Sequence, residues 1–165
     1  MAAQGSILGN AVTRKEDPGL LTGSNHYVDD LDIDAARIVF VRSTMAHASL
    51  LEVDISEAVN MPGVLAVYTS DNLEMPAVNQ SEFMDPSMNR PPLAVGRVRF
   101  VGDIIAAIVA ESHSQAVDAA EQVIVDYDPL PANADIEAAL ADDAHILWEG
   151  AENNVCFAIG NEYDG

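Results

Sequence analysis

Val98-Arg99-Phe100-Val101-Gly102-Asp103-Ile104-Ile105-Ala106-Ala107-Ile108-Val109-Ala110-Glu111-Ser112-His113-Ser114-Gln115-Ala116-Val117-Asp118-Ala119-Ala120 is the stretch that decides the fold class. Gly102-Asp103 marks a turn. Ile104 to Ala110 is an unbroken apolar run. With no polar alternation it reads as a strand buried on both faces. Ser112 and Gln115 have the spacing of a capping box, which opens the best helix of the chain, over 113–123. Ala116, Val117, Ala120, Val123 and Ile124 fall on one face of that helix, and Asp118, Glu121 and Gln122 point away. The chain leaves as a strand, Ile124 to Tyr127, and stops at Pro129-Leu130-Pro131.

Upstream, Ala36 to Arg42 is the first strong strand, with Ile38-Val39-Phe40-Val41 at its centre. Leu50 to Ile55 alternates apolar and acidic and reads as a second strand. A short helix follows, with Asp54 as its cap and Glu57 completing a capping box. Met61-Pro62-Gly63 ends it, and Val64 to Thr69 is a third strand. Leu73 to Pro92 is a long irregular connection, expected to be mobile. Arg97 to Val101 is a short strand. Before Ala36, Asp17-Pro18-Gly19 and Thr22-Gly23-Ser24-Asn25 read as turns in an extended arm that ends on Asp29-Asp30-Leu31-Asp32. After Pro131, Asp135 to Leu140 is expected to form a helical turn. Ile146 to Trp148 and Val155 to Ile159 are short apolar segments, and Gly160 to Gly165 is a polar terminus. The chain therefore divides into an arm, 1–35, a core, 36–131, and a tail, 132–165. Strands and helices mix without strict βαβ alternation, which points to the α+β class.

The chain has 165 residues, 49% of them apolar, enough for one compact domain. No apolar run approaches the roughly 20 residues that span a bilayer. Met1 to Asn10 carries no basic residue and no long apolar stretch, so it does not read as a secretory signal. There are 27 acids against 7 bases, a formal net charge of −20. A phosphate-binding surface needs clustered Lys and Arg, so nucleic acid and an anionic membrane are not expected partners. All seven bases lie between Arg14 and Arg99. The acidic excess is either a solvated, solubilising surface or a field that steers a basic partner subunit. The lone Cys156 can neither close an internal disulfide nor ligate an iron–sulfur cluster by itself, and a cytoplasmic location fits.

Motifs for chemistry are sparse. Asp29-Asp30 lacks the spaced oxygens of a calcium loop and more simply decorates a turn. His26, His47, His113 and His145 show no i,i+4 pair and no zinc spacing. His47, in Ala46-His47-Ala48, is either a satisfied structural histidine or a group facing a partner. There is no GxGxxG, Walker loop, GxSxG or SxxK. Met84 and Met88 flank Asp85-Pro86, as an adaptable contact patch or as gap-fillers. The residues thus assign no catalytic, cofactor-binding or metal-ligating position.

Gly9 to Pro18, Leu20-Leu21-Thr22-Gly23 and Tyr27-Val28-Asp29-Asp30-Leu31 resemble the opening of the large, molybdopterin-binding subunits of the xanthine dehydrogenase, aldehyde oxidase and carbon monoxide dehydrogenase family. Phe40-Val41-Arg42-Ser43 with Ala46-His47-Ala48, Pro62-Gly63-Val64, Val98 to Asp103, Ala106 to Glu111, Ala116 to Ala120, Val125 to Pro131 and Ala138-Ala139-Leu140 continue the series in order. Departures are Asp103-Ile104, where Glu-Pro is common, and Thr44-Met45, where a Pro-containing turn is common. The resemblance implies the N-terminal α/β-hammerhead domain, α+β with a mixed sheet and a main amphipathic helix near 113–123. It implies a scaffolding and subunit-contact role in an oxidoreductase, with molybdenum–molybdopterin in a region outside these residues. Iron–sulfur clusters and FAD would reside on partner subunits or domains. It implies no cofactor bound by this chain alone. The alternative is a free-standing, non-catalytic interaction module derived from the same domain.

Overall fold

Residues 13–31, 33–78 and 81–157 are described by the computed structural model of the chain. The polar terminus 160–165, Ile159, and the opening of the resemblance, Gly9 to Val12, lie outside the described residues. The chain divides into two compact units at Ala35/Ala36.

In the first unit the expected turns at 17–25 are instead a helix and its ending: α1, Asp17–Thr22. Pro18 sits in the first turn, where its missing N–H costs nothing, and Gly23 takes φ +70° to close the C-terminus. Pro and Gly here are helix punctuation rather than loop punctuation. Tyr27 N donates to Asp30 Oδ2 at 2.9 Å across a single 3₁₀ turn, Val28–Asp30, so that carboxylate does decorate a turn.

The second unit holds β1 (Arg37–Arg42), β2 (Ala48–Asp54), β3 (Val64–Tyr68), β4 (Arg97–Val98), β5 (Ile104–Ala110), α2 (His113–Ala120), β6 (Ile124–Pro129) and α3 (Ile136–Ala139). The strands form two three-stranded sheets, β1-β5-β3 and β4-β2-β6, with every pair antiparallel. The fold is α+β. The apolar run forms the central strand of the first sheet, where both edges are paired; the expected burial on both faces is met except at Ile104 and Val109, which are half-buried. Ile105, Ala106, Ala107, Ile108 and Ala110 are buried. On one face, Ala106, Ile108 and Ala110 pack with Val39, Val41 and Val67 beneath Ala116 and Ala119 of α2. On the other, Ile105 joins Ala48, Ala94 and Val98 in the core of the second sheet.

Several boundaries differ from the sequence reading for local reasons. Asp54 Oδ1 accepts from Ser56 N at 2.8 Å, so it closes an Asx turn and not a capping box; only a 3₁₀ turn, Ala58–Asn60, follows. The strand expected over 97–101 ends at Val98, because Arg99 N turns to Asp103 Oδ2 at 3.1 Å and Asp103 N to Phe100 O. α2 stops at Ala120. Ser112 Oγ accepts from Gln115 N, and its hydroxyl donates to Gln115 Oε1 at 2.7 Å, so the reciprocal bond runs between side chains. Ala119 takes a buried place on α2, whereas Ile124 is exposed at the start of β6. Asp135 caps α3 by accepting from Ala138 N at 2.9 Å. Met88 is buried, which makes it a gap-filler. Between 141 and 157 no strand forms. Among the described residues no helix is long and apolar enough to cross a membrane.

Candidate functional site

Of the four histidines, two come together. The loop between β1 and β2 places His47 at 2% exposure, and the segment after α3 brings His145 against it, ring centroids 5.1 Å apart and tilted 53°. His47 Nδ1 lies 2.7 Å from Pro131 O. A carbonyl can only accept, so Nδ1 carries the proton and Nε2 of the neutral ring is a bare lone pair. Nε2 of both rings is buried without a hydrogen-bond partner. His26 and His113 are exposed.

Burial holds the His47 pKa below the ordinary histidine value. The Pro131 carbonyl opposes that shift, while His145, Arg97 and Arg99 reinforce it. Arg99 lies over the Trp148 ring at 4.1 Å and donates from Nε to Leu147 O at 3.1 Å. Arg97 pairs with Glu149. Asn154 bridges the same segment: Oδ1 accepts from Leu147 N at 3.0 Å, and Nδ2 donates to His145 O at 2.9 Å and Ala139 O at 3.1 Å. Asn133 adds a further bond to His145 O at 2.8 Å. Residues 139–154 are thus fastened to the second sheet by polar and stacking contacts.

This cluster suits holding chain together better than reacting. The His47 imidazole lies in the field of two guanidinium cations, Arg97 and Arg99, a poor setting for a metal cation. Among the described residues, no group of three or more His, Cys, Asp or Glu side chains is arranged to hold a metal ion. Cys156 stands free and half-buried. Sequence reasoning found no partner for His47 or Arg99. Their partners lie 98 and 49 residues away, beyond the reach of any spacing pattern; the only hint was a single Trp in an acidic segment.

A family described as aldehyde oxidase and xanthine dehydrogenase, a/b hammerhead domain, matches residues 22–131. The chain is 37% identical over 149 residues to the 6-hydroxypseudooxynicotine dehydrogenase complex subunit gamma of Paenarthrobacter nicotinovorans, covering 85% of this chain and 19% of that protein. It is 34% identical over 148 residues to the carbon monoxide dehydrogenase large chain of Afipia carboxidovorans, covering 89% and 18%. Among solved structures, the aldehyde oxidoreductase from Desulfovibrio gigas superposes with TM-score 0.72 at 31% identity, over 87% of this chain and 17% of that one. The chain therefore spans less than a fifth of these relatives. It belongs to the aldehyde oxidase and xanthine dehydrogenase family, within which it corresponds to the α/β-hammerhead domain.

Proposed function

We propose that this chain is the hammerhead part of a cytoplasmic molybdenum-hydroxylase-type oxidoreductase, and that it scaffolds and contacts neighbouring parts of the enzyme without taking part in the chemistry. The observation that carries this reading is the match to the hammerhead over 22–131 in a chain that spans under a fifth of its relatives. The described residues do not fit a molybdenum–pterin group. Arg90 and Arg97, which could meet an anionic pterin, are paired with Asp103 and Glu149, and Arg99 is stacked on Trp148. Molybdenum would be held by the rest of the large subunit, and iron–sulfur clusters and FAD by partner subunits or domains. Catalytic, cofactor and metal positions would all lie outside this chain.

The test is a metal analysis and visible spectrum of the purified 165-residue chain, with an oxidation assay on aldehydes and purines. The expected result is no molybdenum, iron or flavin and no turnover. A cofactor copurifying in stoichiometric amount would overturn the reading. A second reading, a free-standing interaction module, draws on the fastening of 139–154 by Asn154 and Arg99, which gives the domain a closure of its own. A neighbouring reading frame encoding the remainder of a large subunit would favour the first reading; its absence would favour the second.

A further inference from the structure

The sheet β1-β5-β3 is covered by α2 on one face only. Register defines what the other face presents. In an antiparallel pair, residues directly opposite share a face. Phe40 and Tyr68 both stand opposite Ala107, and Ile38 and Ala66 both stand opposite Val109. Two cross-strand rows, Phe40–Ala107–Tyr68 and Ile38–Val109–Ala66, thus form one continuous apolar patch. Ile105, the next residue of β5 on this face, is covered by the second sheet, and Ala107 is buried between its neighbours, but the flanking side chains are open: Ile38 is 54% exposed, Phe40 40% and Tyr68 38%. Contiguous apolar surface of this kind marks an interaction site rather than ordinary solvated surface.

Charge narrows the occupant. The Arg42 guanidinium lies over the Phe40 ring, 5.4 Å from its centroid, and its Nη1 donates to Gly102 O at 3.0 Å. Arg90 and Arg97 have carboxylate partners; Arg42 has none among the described residues. A cation beside an apolar patch suits an apolar surface with a carboxylate at its rim. A second copy of this chain is a poor occupant, because each copy carries a net charge of −20 and the two would repel. Curated relatives supply a better one: this chain spans 16% to 19% of three of them, so more than four-fifths of each such polypeptide lies outside the matched stretch.

We infer that the open face of the β1-β5-β3 sheet docks on the remainder of the large subunit, through an apolar surface that sets a carboxylate against Arg42. The inference rests on the proposed function and names the surface by which that scaffold is attached. Ile38 and Phe40 are the anchors, since truncating or charging a central aromatic or aliphatic anchor removes most of an interface's binding energy.

The experiment mixes the 165-residue chain with the remainder of the large subunit, supplied as a separate polypeptide, and reads binding together with hydroxyl-radical footprinting. Binding of the wild-type chain with reduced oxidation of Phe40 and Tyr68 is expected. Phe40→Asp and Arg42→Glu should each weaken binding roughly tenfold or more, and Ile124→Asp, an exposed apolar position in the other sheet, should not. Thermal melting of each variant alone reports its folding. If Phe40→Asp fails to fold, Arg42→Glu and the wild-type footprint decide the matter. Tight binding with Phe40 and Tyr68 still fully oxidised, and with Arg42→Glu unaffected, would overturn the docking face and leave the scaffold reading intact. No binding by the wild-type chain would overturn the scaffold reading, and the inference with it. A wild-type dimer that Phe40→Asp dissociates would make a second copy the occupant and overturn the inference alone.

Discussion

His47 Nδ1 and the carbonyl oxygen of Pro131, 84 residues apart in sequence, are 2.7 Å apart in space. The bond fixes the ring tautomer and leaves Nε2 without a partner in a buried setting beside His145, Arg97 and Arg99. The neutral ring is therefore stabilised by folding, and the protonated ring is not.

A pH dependence with a definite sign follows. The folded-state pKa of His47 lies below its unfolded value of about 6.5, so the folded state binds fewer protons in this range. Its contribution to stability is complete above that value and is lost as pH falls through the lower folded-state value. The melting temperature should decline as pH is lowered from 8 to 5. His47→Asn, which keeps an N–H for Pro131 and cannot titrate, should flatten that decline. Asp54 and Asp85, whose carboxyls are held below the usual range by bonds from Ser56 and Ser87, lose their contributions only at more acid pH. An unchanged slope in His47→Asn would remove His47 as the cause.

Ile108 is fully buried at the centre of the first sheet. An unpaired charge there costs several kcal/mol against a domain stability of about 5–15 kcal/mol, so Ile108→Asp should unfold the domain. Ile108→Val should cost only about 0.5–1.5 kcal/mol. Urea melts of the two variants check this, and a normal melt for Ile108→Asp would show that β5 is not the core strand.

Asn154→Ala deletes three hydrogen bonds that tie 139–154 together and leaves Leu147 N without its side-chain acceptor. The expected loss is about 1–3 kcal/mol, felt locally. Fluorescence of Trp148, the only tryptophan and the one stacked under Arg99, should change with it. In the wild-type chain, amides of Ile104–Ala110 should exchange more slowly than those of 146–157, because the strand is paired on both edges and the tail has no strand ladder. Equal protection of the two segments would show a more cooperative unit than this.

Gly63 holds φ +79°, and its carbonyl accepts from Glu111 N at 2.9 Å at the entry to α2. A Cβ there would meet the Gln115 side chain and occupy left-handed backbone as well. Gly63→Ala should destabilise by about 1–2 kcal/mol, measured as a lowered urea midpoint with unchanged slope. A neutral substitution would mean that the turn relaxes to another conformation.

What the sequence by itself determined are features written within a few neighbouring residues. The unbroken run Ile104–Ala110 reads as a buried strand and is the central one of its sheet, and the cap Ser112 marks where α2 begins. The same local reading misjudged Pro18 and Gly23, because Pro and Gly punctuate helices as readily as loops, and context decides between them. Ile38-Val39-Phe40-Val41 shows the limit best. Four consecutive apolar residues announce a strand but not which of its faces is covered. Only the tertiary structure sets α2 over Val39 and Val41 and leaves Ile38 and Phe40 open. The pairing of His47 with His145, and of Arg99 with Trp148, was likewise decided in space, because each depends on segments that the chain separates and only packing of the second sheet brings together.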